Sequence, residues 1–163
     1  MPDKVPRVYA DANVLLAYVA NEANRADTVQ SILEDARQAR VELLTSVLSI
    51  TEVAYVQTDS GVDISLASDA AIDELWTPTS PVALVDISET VAREARRVIR
   101  RAKQASVGGI RSADAIHLAS AKLHRCDRFF TYENEATRQC WNTLIEARVT
   151  APFTDSPQLD FNN

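Results

Sequence analysis

The residues with the most chemistry to offer are carboxylates at the ends of apolar and β-branched runs. Asp11 directly follows Arg7-Val8-Tyr9-Ala10, and Glu133 follows Arg128-Phe129-Phe130-Thr131 after one intervening residue, Tyr132. Asp114 stands in the first turn of a helical segment, where the helix dipole favours an anion. Glu52 falls on the side of a helical pattern that faces the core or a crevice rather than water. In an open parallel sheet the ligand crevice lies beyond the carboxyl ends of the strands, so carboxylates from four separate segments can converge there. Like charges brought together disfavour joint ionisation and call for protons or a cation. Hard oxygen donors without a matching Cys or His cluster select Mg²⁺ or Mn²⁺ over zinc. An acidic crevice of this kind, with arginines nearby, suits phosphodiester hydrolysis. On spacing alone, scattered surface acids remain the alternative.

Other side chains have two readings each. Asn13, two residues beyond Asp11, is a helix N-cap or a member of the site. Thr131 orients a ligand through its hydroxyl or simply ends a strand. His117 shares a helix face with Asp114, three residues earlier, and reads as a packed or hydrogen-bonded histidine rather than a general base. Arg111 precedes Asp114 by three and is expected close to the crevice. Charge is unevenly spread. No Lys or Arg occurs between Arg40 and Arg93, while Arg93, Arg96, Arg97, Arg100, Arg101, Lys103 and Arg111 follow in quick succession. Arg93, Arg96, Arg97 and Arg100 form one helical stripe. It can track phosphate, be solvated, or pair with acids of the stretch that lacks cations.

The elements that must position these residues alternate as in an α/β protein with a parallel sheet. The pattern predicts strands over 7–10, 41–45, 82–87 and 128–131, with a short edge strand over 148–151. Helices are expected over 13–20, 27–40, 47–57 (capped by Ser46), 66–76, 88–103, 113–123 (capped by Ser112) and 135–146. Residues 59–63 read as a loop. A chain of 163 residues, 46% apolar and 25% charged, suits one domain. We place it over 1–151, with a polar, loosely packed tail over 152–163. The three glycines exclude the dinucleotide fingerprint and the Walker loop. Cys126 and Cys140 form no CxxC pair or zinc spacing. No run is long enough to span a membrane and no apolar segment follows residues 1–6, so a cytoplasmic protein is expected.

Four blocks carry a family resemblance. Val8-Tyr9-Ala10-Asp11-Ala12-Asn13-Val14-Leu15-Leu16 resembles the opening strand and turn of PIN-domain ribonucleases. Ser46-Val47-Leu48-Ser49-Ile50-Thr51-Glu52-Val53 resembles their glutamate-bearing block. Ser112-Ala113-Asp114-Ala115-Ile116-His117-Leu118-Ala119-Ser120-Ala121 is similar to the third and is the most specific. Phe129-Phe130-Thr131-Tyr132-Glu133-Asn134 resembles the fourth. The blocks keep the family's order from residue 8 to about 145.

The resemblance implies a three-layer α/β/α domain with a central, mainly parallel sheet of four to five strands. It also implies a Mg²⁺- or Mn²⁺-dependent endoribonuclease. Asp11, Glu52 and Asp114 match the main metal-site acids. Glu133 stands where many members have Asp, so it binds metal directly, through water, or shares the role with Asn134 or Glu135. Asn13, Thr131, Asn134 and Arg111 would support ligands or substrate. Many small members are VapC-type toxins, usually homodimers inhibited by a small antitoxin. The competing reading is a catalytically idle PIN-like module that binds RNA or protein.

Overall fold

The computed structural model describes residues 4–156. Its centre is β1 (Arg7–Ala10), whose alternating side chains enter two cores. Val8 and Ala10 face one side, with helix α1 (Ala12–Val19), α2 (Ala26–Arg37) and α4 (Leu66–Glu74). Tyr9 faces the other, with α5 (Glu89–Gln104), α6 (Ser112–Leu123) and α7 (Glu135–Asn142). A strand buried on both faces between helical layers is the mark of a three-layer α/β/α domain.

Beside β1 lie β2 (Glu42–Ser46) and β6 (Arg128–Phe130), flanked in turn by β5 (Val82–Val85) and β7 (Arg148–Thr150). All four pairings in this order, β5-β2-β1-β6-β7, are parallel. The chain first builds outward from β1 through β2 to β5, then returns to the other side of β1 for β6 and β7. The switch point therefore falls between β1 and β6, where a crevice opens beyond the strand ends.

Local structure departs from the sequence expectation in four places. The helix expected over 47–57 is only α3 (Leu48–Glu52). Beyond it the chain bends at Val53 and enters a separate antiparallel hairpin, β3 (Val56–Thr58) and β4 (Gly61–Asp63). β-Branched Val56 and Thr58 favour the strand, and Gly61, at φ 122°, supplies a backbone that other residues resist. The loop expected over 59–63 is thus the hairpin's turn and second strand. Ser112 does not cap α6: Arg111 occupies the N-cap position and makes no side-chain cap bond. Ser46 ends β2 rather than capping a helix directly, though its hydroxyl still accepts the Leu48 N–H.

Residues 153–156 are also held down. Thr154 and Ser156 donate to buried Asp35 at 2.6 and 2.9 Å, and Asp155 pairs with Arg128 at 2.8 Å. Residues 157–163, Pro157 included, lie outside the described residues.

The basic stripe splits. Buried Glu94 accepts from Arg97, Arg101 and Lys122, which locks α5 to α6, and Arg93 pairs with Glu89 on its own helix. Burial opposes the Glu94 charge, yet the bonds from Lys122 and Arg97 outweigh it and hold the carboxyl below its ordinary range. Arg96 and Arg100 remain exposed beside a groove that Ser112 and Ile116 also line. On α6 that face lies about half a turn away from Asp114.

Candidate active site

Asp11 sits at the N-cap of α1, immediately beyond β1, with its backbone N–H bonded to the Phe130 carbonyl at 3.0 Å. Its side chain is buried, and Oδ2 accepts from the Thr131 hydroxyl at 3.0 Å. Thr131 follows β6 and is itself fixed by a bond from its N–H to the Thr150 carbonyl of β7. Burial pushes the Asp11 carboxyl up; Asp114 and Glu52 push the same way, while His117 and Thr131 oppose them. Asp114 and Glu52 thus both lie within electrostatic reach of Asp11.

Glu52 ends α3, and its Oε2 lies 2.5 Å from Nε2 of His117. His117 is 1% exposed. Its Nδ1 lies 2.7 Å from the Tyr9 hydroxyl, which in turn accepts the Ser46 N–H at 2.9 Å. Burial lowers the imidazole's basicity, but Glu52's hydrogen bond and the charges of Asp11, Glu52 and Asp114 outweigh it and raise it overall. Asp114, in the first turn of α6, is gripped by Arg111 at 2.9 and 3.1 Å. The Asp114 bond and charge raise the arginine's pKa first, and Glu133 and Asp11 add to them.

The β1 and β6 ends are stitched together by Asn13. Its Oδ1 accepts the Tyr132 N–H at 3.0 Å, and its Nδ2 donates to the Thr131 hydroxyl at 3.1 Å. The capping role open to Asn13 is therefore not the one it plays. Glu133 follows on the same loop, its N–H bonded to the Thr131 hydroxyl at 3.2 Å. Its side chain is half-buried, and its carbonyl accepts from Arg138. Asn134 is exposed and caps α7 by accepting the Thr137 N–H at 2.9 Å.

A family model described as the PIN domain matches residues 8–141, from the middle of β1 through most of α7. The chain belongs to the PIN domain family. Several solved structures share this PIN fold. A chain of VapBC2 from Rickettsia felis, solved with a fragment of promoter DNA, superposes with a TM-score of 0.66 at 12% identity. That match covers 89% of this chain and 98% of the other. FitAcB from Neisseria gonorrhoeae gives 0.60 at 17% identity, covering 89% and 97%. VapC20 from Mycobacterium tuberculosis, described as a sarcin-ricin loop cleaving toxin, gives 0.60 at 13%, covering 86% and 98%. No curated protein sequence matches the chain.

Whether this PIN domain's acids suit a divalent cation turns on their oxygens. As the side chains stand, no three His, Cys, Asp or Glu among the described residues form a group able to hold a metal ion. Arg111 takes both oxygens of Asp114. Asp11 and Glu52 each have one carboxylate oxygen in a hydrogen bond and a second without a protein partner among the described residues. The donor set is thus all hard oxygen with two lone-pair faces open, and the cation presently on Asp114 is an arginine side chain 76% exposed to water. Exposed side chains rearrange at small cost. The chemistry fits Mg²⁺ or Mn²⁺ once Arg111 swings away.

His117 is the packed, hydrogen-bonded histidine that the sequence suggests, but the sequence names neither of its partners, and Tyr9 reads only as a strand residue. The available signals were the three-residue spacing of Asp114 and His117 and the two-residue spacing of Tyr9 and Asp11. Neither spacing reveals that α3 stops where Glu52 meets His117.

Proposed function

We propose that the protein is a Mg²⁺- or Mn²⁺-dependent endoribonuclease, the toxin of a toxin–antitoxin pair. The observation that carries this reading is that Asp11, Glu52 and Asp114, from three segments, lie around one buried histidine, with His117 bonded to Glu52 and responding to the charges of all three. Membership of the PIN family and the likeness to VapBC and FitAcB chains support it. Asp11, Glu52 and Asp114 would hold the cation, with Glu133 joining directly or through water. The chemistry such a cation supplies when bound is a concentrated positive charge on the phosphodiester and a lowered pKa for the attacking water.

The chain's own residues do the rest. Thr131 fixes one oxygen of Asp11, so the other faces the crevice. Asn13 keeps the β6–α7 loop, and with it Glu133, against the start of α1. Arg111, once off Asp114, offers a planar fork of N–H donors to the oxygens of a phosphate. RNA is the substrate, and a small antitoxin the regulator. The working form is a homodimer in the cytoplasm, in keeping with the lack, among the described residues, of a helix long and apolar enough to cross a membrane.

The closure of Asp114 by Arg111 favours a second reading, an idle module that binds RNA or protein. One experiment separates the two. Purified protein is incubated with structured RNA in Mn²⁺, in excess EDTA, and as Asp11→Asn. Cleavage that needs Mn²⁺ and falls by two orders of magnitude or more in the variant is expected. Undiminished cleavage in EDTA, or RNA binding without cleavage, refutes the nuclease reading.

A further inference from the structure

We propose that Tyr9 and His117 are positioning residues for the reaction, because a buried line of hydrogen bonds from the Ser46 backbone through both side chains fixes the carboxylate of Glu52. This rests on the reading of Glu52 as a cation ligand and adds the means by which it is held.

The need for such a device is local. α3 has five residues and ends at Glu52, the next residue being its C-cap, Val53. A glutamate there keeps three rotatable bonds and, at 29% side-chain exposure, reaches water. Left alone, it would divide its time among many rotamers, few of them aimed at Asp11. Outer partners that hold a ligating carboxylate in one orientation therefore control metal affinity.

The donors and acceptors run in one consistent direction. The Tyr9 oxygen accepts the Ser46 N–H at 2.9 Å, so its own O–H is free to donate to Nδ1 of His117 at 2.7 Å. With the Glu52 carboxylate at Nε2, the imidazole carries a proton there both when it is neutral and accepts at Nδ1 and when it is protonated. That N–H points at Oε2 of Glu52, 2.5 Å away. Every polar atom along the line is used, and the line joins β1, the end of β2, α6 and the end of α3. The Tyr9 ring is stacked on Phe129 at 5.2 Å, with Phe129 edge-on to Trp141 at 5.9 Å, so its hydroxyl is placed by the core itself. The result is a rigid mount for an acid at the end of a short helix.

The test compares the wild type with Tyr9→Phe, His117→Leu and His117→Gln, and reads Mn²⁺ affinity by calorimetry and by electron paramagnetic resonance of free Mn²⁺. Tyr9→Phe is nearly isosteric and keeps the ring stack. His117→Gln retains an N–H donor toward Glu52. Tyr9→Phe and His117→Leu are expected to weaken Mn²⁺ binding about 10- to 100-fold. His117→Gln should recover much of that loss. The KM for RNA should change little while kcat falls. If His117→Leu fails to fold, Tyr9→Phe alone decides. A folded Tyr9→Phe that binds Mn²⁺ within about twofold of the wild type overturns the proposal, even with a lowered melting temperature. Wild-type protein that binds no Mn²⁺ overturns the cation-nuclease reading and this proposal with it.

Discussion

Removing the Arg111 guanidinium should tighten metal binding and weaken catalysis at once. Arg111 holds both oxygens of Asp114, at 2.9 and 3.1 Å, so a cation recruiting Asp114 must first displace it. The arginine side chain is 76% exposed and that of the aspartate 12%, which leaves the pair well screened by solvent. Ion pairs of that exposure contribute about 0.2–1 kcal/mol. With 1.4 kcal/mol equal to a factor of ten, Arg111→Gln should tighten Mn²⁺ binding roughly 1.4- to 5-fold. Loss of a positive charge near Asp114, Glu133 and Asp11 acts in the same direction. Titration calorimetry, or the Mn²⁺ dependence of the melting temperature, measures it. RNA cleavage at saturating Mn²⁺ should fall, because the phosphate loses its donors. Unchanged or weaker Mn²⁺ binding in Arg111→Gln would refute the idea that this pair stands in for the cation.

Two further outcomes follow from charges that the fold has already committed. Burial holds the Asp11 carboxyl above its ordinary range, so the stability it contributes is full below that range and is lost as pH rises through the raised value. Asp11→Asn, which keeps an acceptor for Thr131, should therefore lose less stability than the wild type as pH rises from the ordinary carboxylate range toward neutrality in metal-free buffer; denaturant midpoints at the two ends of that rise check it. On α5, Arg97→Ala with Arg101→Ala removes two of the three cations on buried Glu94 and should cost about 1–3 kcal/mol. Arg96→Ala with Arg100→Ala should stay within about 0.5 kcal/mol by the same chemical denaturation.

The sheet was legible because each strand centres on a short apolar, β-branched or aromatic run with a stop near its end. Asp11 after Ala10 leaves little choice of boundary, and the helix expected from residue 88 starts at Glu89, with Ser88 accepting the Val91 N–H at 3.3 Å as its cap. The region after β2 was not legible in the same way. Its apolar spacing through 47–57 fits a helix, yet Val53 is pulled into the core and the chain turns there. Tertiary burial outweighed local periodicity, and the hairpin that follows shows only Gly61 and a run of β-branched residues as its signal. The arginine stripe was legible only in part, for a related reason. Spacing places side chains on a helix face, but it does not say that buried Glu94 on that same helix has already claimed Arg97 of the stripe, together with Arg101 beside it.

The acids themselves were legible as types and positions, as was Arg111 three residues before Asp114, but the partners of Asp11 and Glu52 were not, since both come from distant parts of the chain. Thr131 reaches Asp11 across 120 residues, and His117 reaches Glu52 across 65. These partners differ in kind, and the difference matters for function. Asp11 is held by a neutral hydroxyl in a buried setting that resists its charge. Glu52 is held by an imidazole whose basicity that same cluster raises. Asp114 is held by a solvated arginine. Of the three compensating groups, only the arginine can leave without exposing a core residue or orphaning a buried polar atom. On the proposed reading, a cation entering the crevice would meet two acids already held in place and a third whose partner is free to move onto the phosphate.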